Sequence, residues 1–109
     1  MTVILDTGQW RGSPGTNREG IADPEVDFYR FMEQVAPYAS YVRAKIYKID
    51  SGSEEWLDYP RIFRILSTQE YDGPVSIVYE NRGNACSFRE ALSLAVIHLR
   101  SIDSQGASA

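Results

Sequence analysis

The segment 41–47 most constrains the fold, because it alternates as a β-strand does and its two faces differ in chemistry. The apolar face consists of Val42, Ala44 and Ile46, and it can pack against helices. The opposite face contains the cations Arg43 and Lys45 between two tyrosines. Charges in a central strand belong to a ligand site, an ion pair or a subunit contact, and all three interpretations are open at this point.

Each of three predicted helices begins at a capping signal. Asp23 precedes Pro24 at the start of the first helix, and Asp58 lies two residues before Pro60 at the start of the second. A proline in the first turn of a helix loses no hydrogen bond, because the N–H groups there have no partner within the helix. Residues 87–90 have the S-x-x-E spacing of a capping box. Apolar residues recur at helical spacing after each signal, so each helix is predicted to bury one face.

Strands are predicted at 2–6, 41–47 and 75–80, which makes residues 1–102 one domain of the order β-α-β-α-β-α. Right-handed crossovers then place three helices on one face of a parallel sheet, so we predict an α/β fold. No segment of the chain is expected to cover the other face, and a second copy or the rest of a barrel would have to do so. The small polar residues of 103–109 predict a disordered tail.

Composition excludes several classes of partner. The net charge of -4 and the pI of about 4.9 provide no general attraction to nucleic acid or to anionic lipid. No apolar run reaches the ~18 residues of a membrane span, and no basic leader precedes the first strand, so a cytoplasmic location is expected. The single cysteine, Cys86, excludes a disulfide within one chain.

Five short runs, taken in order, resemble the C-terminal part of the xylose isomerase-like (β/α)₈ barrels, the sugar phosphate isomerase/epimerase superfamily. They are LDTG at 5–8, APY at 36–38, YVRAK at 41–45, WLDYPRI at 56–62 and YDGPVSIVYE at 71–80. The resemblance spans nearly all of residues 2–102. It implies a partial TIM barrel made of the sixth, seventh and eighth βα units and completed by self-association.

The same resemblance implies a metal site that this chain has largely lost. Members of the superfamily bind Mn²⁺ or Mg²⁺ through two glutamates, an aspartate and a histidine, ligands that suit such ions. The aspartate matches Asp6, but the histidine position is Arg43 and the last-strand glutamate position is Val78, neither of which can ligate a cation. The remaining glutamate belongs to an absent strand, so no cofactor is expected.

Four polar residues of the predicted inner face form the main candidate site: Asp6, Arg43, Lys45 and Glu80. Three interpretations of these four residues are open: a structural ion-pair network in an oligomer, a sugar or anion site, and a catalytic site. In the catalytic case, Lys45 polarises the substrate and the carboxylates of Glu80 and Asp6 transfer protons.

Further residues outside the strands are candidates for binding a sugar or an anion. Trp10 can stack on a sugar, and Gly83 with Asn84 precedes a helix whose free amides can hold a phosphate. Cys86 has no nearby histidine base in sequence, and His98 borders the buried stripe of its helix. An inert thiol and a packing histidine are therefore expected.

Two functions follow from these observations. The first is a partial barrel that self-associates as a homodimer or higher oligomer and has lost metal-dependent catalysis. The alternative is a Mn²⁺- or Mg²⁺-dependent sugar or sugar-phosphate isomerase or epimerase whose site a partner chain completes. The first function expects another copy of the chain as partner, and the alternative expects a partner chain with a sugar or sugar phosphate. Neither expects nucleic acid or a membrane.

Overall fold

The computed structural model describes residues 2–108, and among them the side chains of residues 2–102. Its strands and helices alternate along the chain as β1 (Ile4–Asp6), α1 (Phe28–Val35), β2 (Tyr41–Ile46), α2 (Tyr59–Thr68), β3 (Val75–Tyr79) and α3 (Phe88–Ser108). The strands form one parallel sheet in the order β1-β2-β3. The predicted α/β class and element order are therefore confirmed. The disordered tail predicted at 103–109 lies outside the described side chains and stays a prediction.

The core lies between the sheet and a single layer of helices. Leu5 lies beside Val42 in the sheet and Ala44 lies beside Ile77, and Leu5, Val42 and Ala44 are at most 1% exposed. Helix α1 contacts α2, and α2 contacts α3, as expected when consecutive right-handed crossovers return on the same side. The alternation of segment 41–47 thus predicts correctly which of its side chains meet the helices.

Two of the three predicted helix starts are confirmed. The Asp58 carboxylate accepts the backbone N–H of Arg61 at 3.1 Å, which caps α2. The Ser87 hydroxyl accepts the N–H of Glu90 at 3.2 Å at the start of α3. The Glu90 carboxylate accepts from the Ser87 hydroxyl rather than from the Ser87 amide. Only one of the two hydrogen bonds of a capping box is therefore formed, the one from the Glu90 N–H to Ser87.

The predicted start of the first helix is wrong. Helix α1 begins at Phe28, five residues after Asp23. The Asp23 carboxylate accepts the N–H of Glu25 at 2.9 Å, two residues further on, and this local bond closes a turn instead of a helix. Phe88 also departs from the prediction that the apolar residues at helical spacing form the buried face of each helix, because it is 65% exposed.

The sheet face opposite the helices is not bare along its whole length. The loop that follows β1 folds over the carboxyl ends of the strands, and Lys45 and Tyr47 on this face are only 5% and 3% exposed. A β-carbon at Gly8 or at Gly15 would overlap the Tyr47 hydroxyl, so the close approach of the loop requires glycine. The expectation of an uncovered face is wrong here and holds only near the amino ends, where Ile4 is 50% exposed.

Candidate functional site

The structure brings together the four charged residues predicted from the strands. Asp6 and Arg43 are paired in the β1–β2 register, and Lys45 follows on the same face of β2. Glu80 lies directly after β3, and its Oε1 is 2.5 Å from Lys45 Nζ. We call Asp6, Arg43, Lys45 and Glu80 the charged cluster. It lies at the carboxyl ends of the strands, because parallel strands bring those ends to one edge.

Within the charged cluster, the two carboxylates are held differently. Asp6 Oδ1 accepts the Gly8 N–H at 2.8 Å, whereas Asp6 Oδ2 is buried and has no hydrogen-bond partner among the described residues. Arg43 Nε and Lys45 Nζ lie 3.8 and 3.9 Å from Asp6 Oδ2, which is electrostatic contact beyond hydrogen-bond length. The Lys45–Glu80 bond is thus the strong pair, and Asp6 keeps one unused acceptor.

The charged cluster is open to solvent on one side only. The Lys45 and Asp6 side chains are 7% and 11% exposed, whereas those of Arg43 and Glu80 are 41% and 36% exposed. Two cations face two carboxylates, so the cluster is neutral as a whole. Such an arrangement holds its members in place and attracts neither anions nor cations strongly over distance.

The residues present do not fit a divalent metal ion. The resemblance implies one metal ligand in this chain, Asp6, and its nearest charged neighbours are the cations Arg43 and Lys45. Within residues 2–102, no three or more His, Cys, Asp or Glu side chains are grouped so that they could hold a metal. Two adjacent cations would also repel an incoming cation.

A closed ring of hydrogen bonds fixes the backbone of Lys45 from the helix side. The Lys45 N–H donates to Thr7 Oγ1 at 2.9 Å, and the Tyr59 hydroxyl donates to the Lys45 carbonyl at 2.6 Å. Thr7 Oγ1 completes the ring by donating to Tyr59 Oη at 2.9 Å. Burial raises the pKa of Tyr59 well above its ordinary value, so the donor is retained. Nothing in the sequence indicates that Thr7 and Tyr59 hold the backbone of Lys45.

A buried carboxylate organises the turn that follows β2. Glu54 is 7% exposed, and its Oε1 accepts the N–H groups of Tyr47 and Lys48 at 2.7 and 2.8 Å. Its Oε2 accepts those of Trp56 and Leu57 at 2.8 and 2.6 Å. Burial raises the pKa of Glu54, and the four donors oppose that rise. The sequence does not distinguish Glu54 from its exposed neighbour Glu55.

Aromatic rings and an arginine close the carboxyl end of the sheet above the charged cluster. The Tyr47 ring stacks on Trp56 at 5.1 Å, and the Arg82 guanidinium lies 5.3 Å from the Trp56 ring. Arg82 Nη1 also donates to the Asn17 carbonyl at 3.2 Å, which ties the loop after β1 to the end of β3. Burial, with the charges of Glu80 and Asp6, raises the pKa of Tyr47 to about 12.

The remaining predicted binding residues lie outside the charged cluster. The Trp10 ring packs 6.1 Å from that of Phe31, against the core. The Gly83 carbonyl accepts from Lys48 Nζ, and Asn84 Oδ1 accepts the N–H groups of Ile49 and Asp50. Gly83 and Asn84 thus hold the turn after β2, and their predicted contact with an anion stays a prediction.

Three further features lie apart from the charged cluster. Cys86 is a half-buried free cysteine. His98 is half-buried on α3, and burial lowers its pKa. A shallow groove of about 570 Å³ lies in the loop after β1, between Gly12, Asn17 and Asp23, and none of the predicted site residues lines it.

No family model and no curated protein matches this chain. The resemblance to the sugar phosphate isomerase/epimerase superfamily therefore rests on the five sequence runs alone and stays a prediction. Along the described part of the chain, no helix is long and apolar enough to cross a membrane.

Proposed function

We propose that this chain is a self-associating α/β module, a sugar phosphate isomerase/epimerase-like partial barrel that has lost metal-dependent catalysis. The observation that supports self-association is the incomplete burial of the third βα unit. No residue of β3 is buried, whereas four of the six residues of β2 are. A strand left half exposed along its whole length lacks a neighbour on its outer side.

Apolar side chains on α3 extend this exposed region. Phe88 is 65% exposed and lies 5.6 Å from the Tyr79 ring, and Leu92 and Val96 follow at intervals of one helical turn. Leu92 and Val96 are half-buried and are not part of the core. Burying even a few hundred Å² of such surface contributes several kcal/mol at ~25 cal/mol per Å². This term favours association of two chains, and it acts against the translational and rotational entropy that association costs.

The charged cluster supports the absence of metal-dependent chemistry. Arg43 and Val78 stand where the resemblance places two metal ligands, and Lys45 is already bonded to Glu80. The stacked rings of Tyr47 and Trp56 also limit the access of a substrate to Lys45. These contacts suit a rigid structural network better than a site that turns over a substrate.

We expect the protein to be a dimer at micromolar concentration. Sedimentation equilibrium or size-exclusion chromatography with light scattering should return twice the chain mass of 12.3 kDa. The apparent mass should fall on dilution if the association is reversible, because dissociation follows mass action. A mass of one chain that persists to high concentration would overturn the proposed function.

The metal-dependent isomerase is the second candidate, and the unused Asp6 Oδ2 acceptor is the observation that favours it. We expect calorimetric titration with Mn²⁺ or Mg²⁺ to show no saturable binding, since Arg43 and Lys45 already face that oxygen. An Asp6→Asn variant is the matched control. Saturable binding by the parent chain that this variant loses would favour the isomerase over the module.

A further inference from the structure

The outer edge of β3 presents regularly spaced backbone groups. The Val42 N–H donates to the Pro74 carbonyl, and the Glu80 N–H donates to the Ile46 carbonyl. In a parallel ladder, alternate residues bond to the same neighbour, so the even-numbered residues from 74 to 80 face β2. The N–H and C=O groups of Val75, Ile77 and Tyr79 therefore point outward, and none has a hydrogen-bond partner among the described residues.

This edge lacks the features that normally prevent strands from pairing. Natural edge strands are short, charged, bulged or interrupted by proline. Residues Val75–Tyr79 read V-S-I-V-Y, which is five uncharged residues, and all of them except the serine favour strands. The opposite edge strand, β1, has only three residues and ends at Asp6. Of the two outer strands, β3 is thus the one suited to receive another strand.

We propose that β3 pairs antiparallel with β3 of a second copy, about a two-fold axis at Ile77. This inference rests on the proposed self-association and names its surface. The outward groups are symmetric about Ile77, so Val75 would lie opposite Tyr79 of the second copy and every outward group would be paired. On the helix side, the exposed Phe88 ring beside Tyr79 would extend the apolar contact.

Symmetry favours this pairing over the addition of β1 to β3. Parallel addition of three-stranded units yields sheets of six or nine strands, so it does not produce an eight-stranded barrel. A contact between two different edges also closes only if its rotation permits, and otherwise it grows into a filament. Antiparallel pairing of two identical edges is complete after two copies. A second copy is therefore the occupant that the edge fits.

Cysteine cross-linking tests both the surface and its register. In a Cys86→Ser background, Ile77→Cys would face its own counterpart with Cα atoms about 5.5 Å apart, within the range of a disulfide. Val75→Cys is the matched control on the same face of β3. Its counterpart would lie four residues away along the strand, about 14 Å, which is too far to cross-link. We expect a several-fold larger cross-linked fraction for the first variant.

Ile77→Pro provides the second measurement. It removes an outward N–H that has no hydrogen-bond partner in the described part of the chain, a change that edge strands tolerate. We therefore expect a monomer with an unchanged far-UV circular dichroism spectrum. A dimeric parent whose two cysteine variants cross-link equally would overturn the β3 pairing while leaving self-association intact. A monomeric parent would overturn both.

Discussion

Replacement of Glu54 by glutamine is expected to lower the free energy of unfolding by about 2–5 kcal/mol. Glutamine has one side-chain oxygen, so it can accept only two of the four backbone N–H groups that the carboxylate accepts. The carboxylate accepts two N–H groups on each oxygen. The amide would turn an NH₂ group towards two of these donors and leave both unsatisfied in a buried position. Urea unfolding at neutral pH, followed by circular dichroism, measures the loss.

The adjacent residue supplies the control for this prediction. Glu55 is exposed and differs from Glu54 by one position, so Glu55→Gln changes the net charge equally. We expect its effect to stay within about 0.5 kcal/mol, as for most surface substitutions. Equal unfolding midpoints for the two variants would show that the four backbone contacts of Glu54 contribute little to stability.

Replacement of Tyr59 by phenylalanine is expected to lower the free energy of unfolding by about 1–3 kcal/mol. Tyr59 is 1% exposed, and its hydroxyl joins Thr7 to the Lys45 carbonyl. Without it, the Lys45 carbonyl loses its side-chain donor and the Thr7 hydroxyl loses its acceptor, and both are buried. Denaturant unfolding monitored by tryptophan fluorescence gives the change.

Tyr71→Phe is the matched control for Tyr59→Phe. Its hydroxyl also donates to a backbone carbonyl, that of Pro74, but at an exposed position where water can replace it. We expect a loss of no more than about 0.5 kcal/mol. A Tyr59→Phe variant as stable as Tyr71→Phe would contradict the conclusion that the buried ring of hydrogen bonds stabilises the β1–β2 junction.

Several parts of the fold could be predicted because they depend on neighbours in sequence. The period of two in segment 41–47 determines which side chains meet the helices, and the carboxylate of Asp58 caps the helix that begins next to it. The charged cluster could also be predicted, because parallel strands bring Asp6, Lys45 and Glu80 to the same edge whatever loops join them.

Other parts could not be predicted because they depend on contacts between distant segments. The loop after β1 covers Tyr47 only because Gly8 and Gly15 allow close approach, and sequence patterning does not show which surface a long loop will meet. The start of α1 was misplaced for a different, local reason. Asp23 has the composition of a helix cap, but its carboxylate forms a local turn instead.

Periodicity and strand direction can be read from the chain without its contacts. They account for the alternating βα order, the apolar face of β2 and the residues of the charged cluster. The folded arrangement was needed to show that Glu54 is a buried acceptor for four amides and that Thr7 and Tyr59 hold the backbone of Lys45. It was also needed to show that β3 stays half exposed. The contacts of Thr7 and Tyr59 join segments far apart in the chain, whereas those of Glu54 lie within its own turn. In both places burial makes the hydrogen bonds of an ordinary polar residue necessary to the fold.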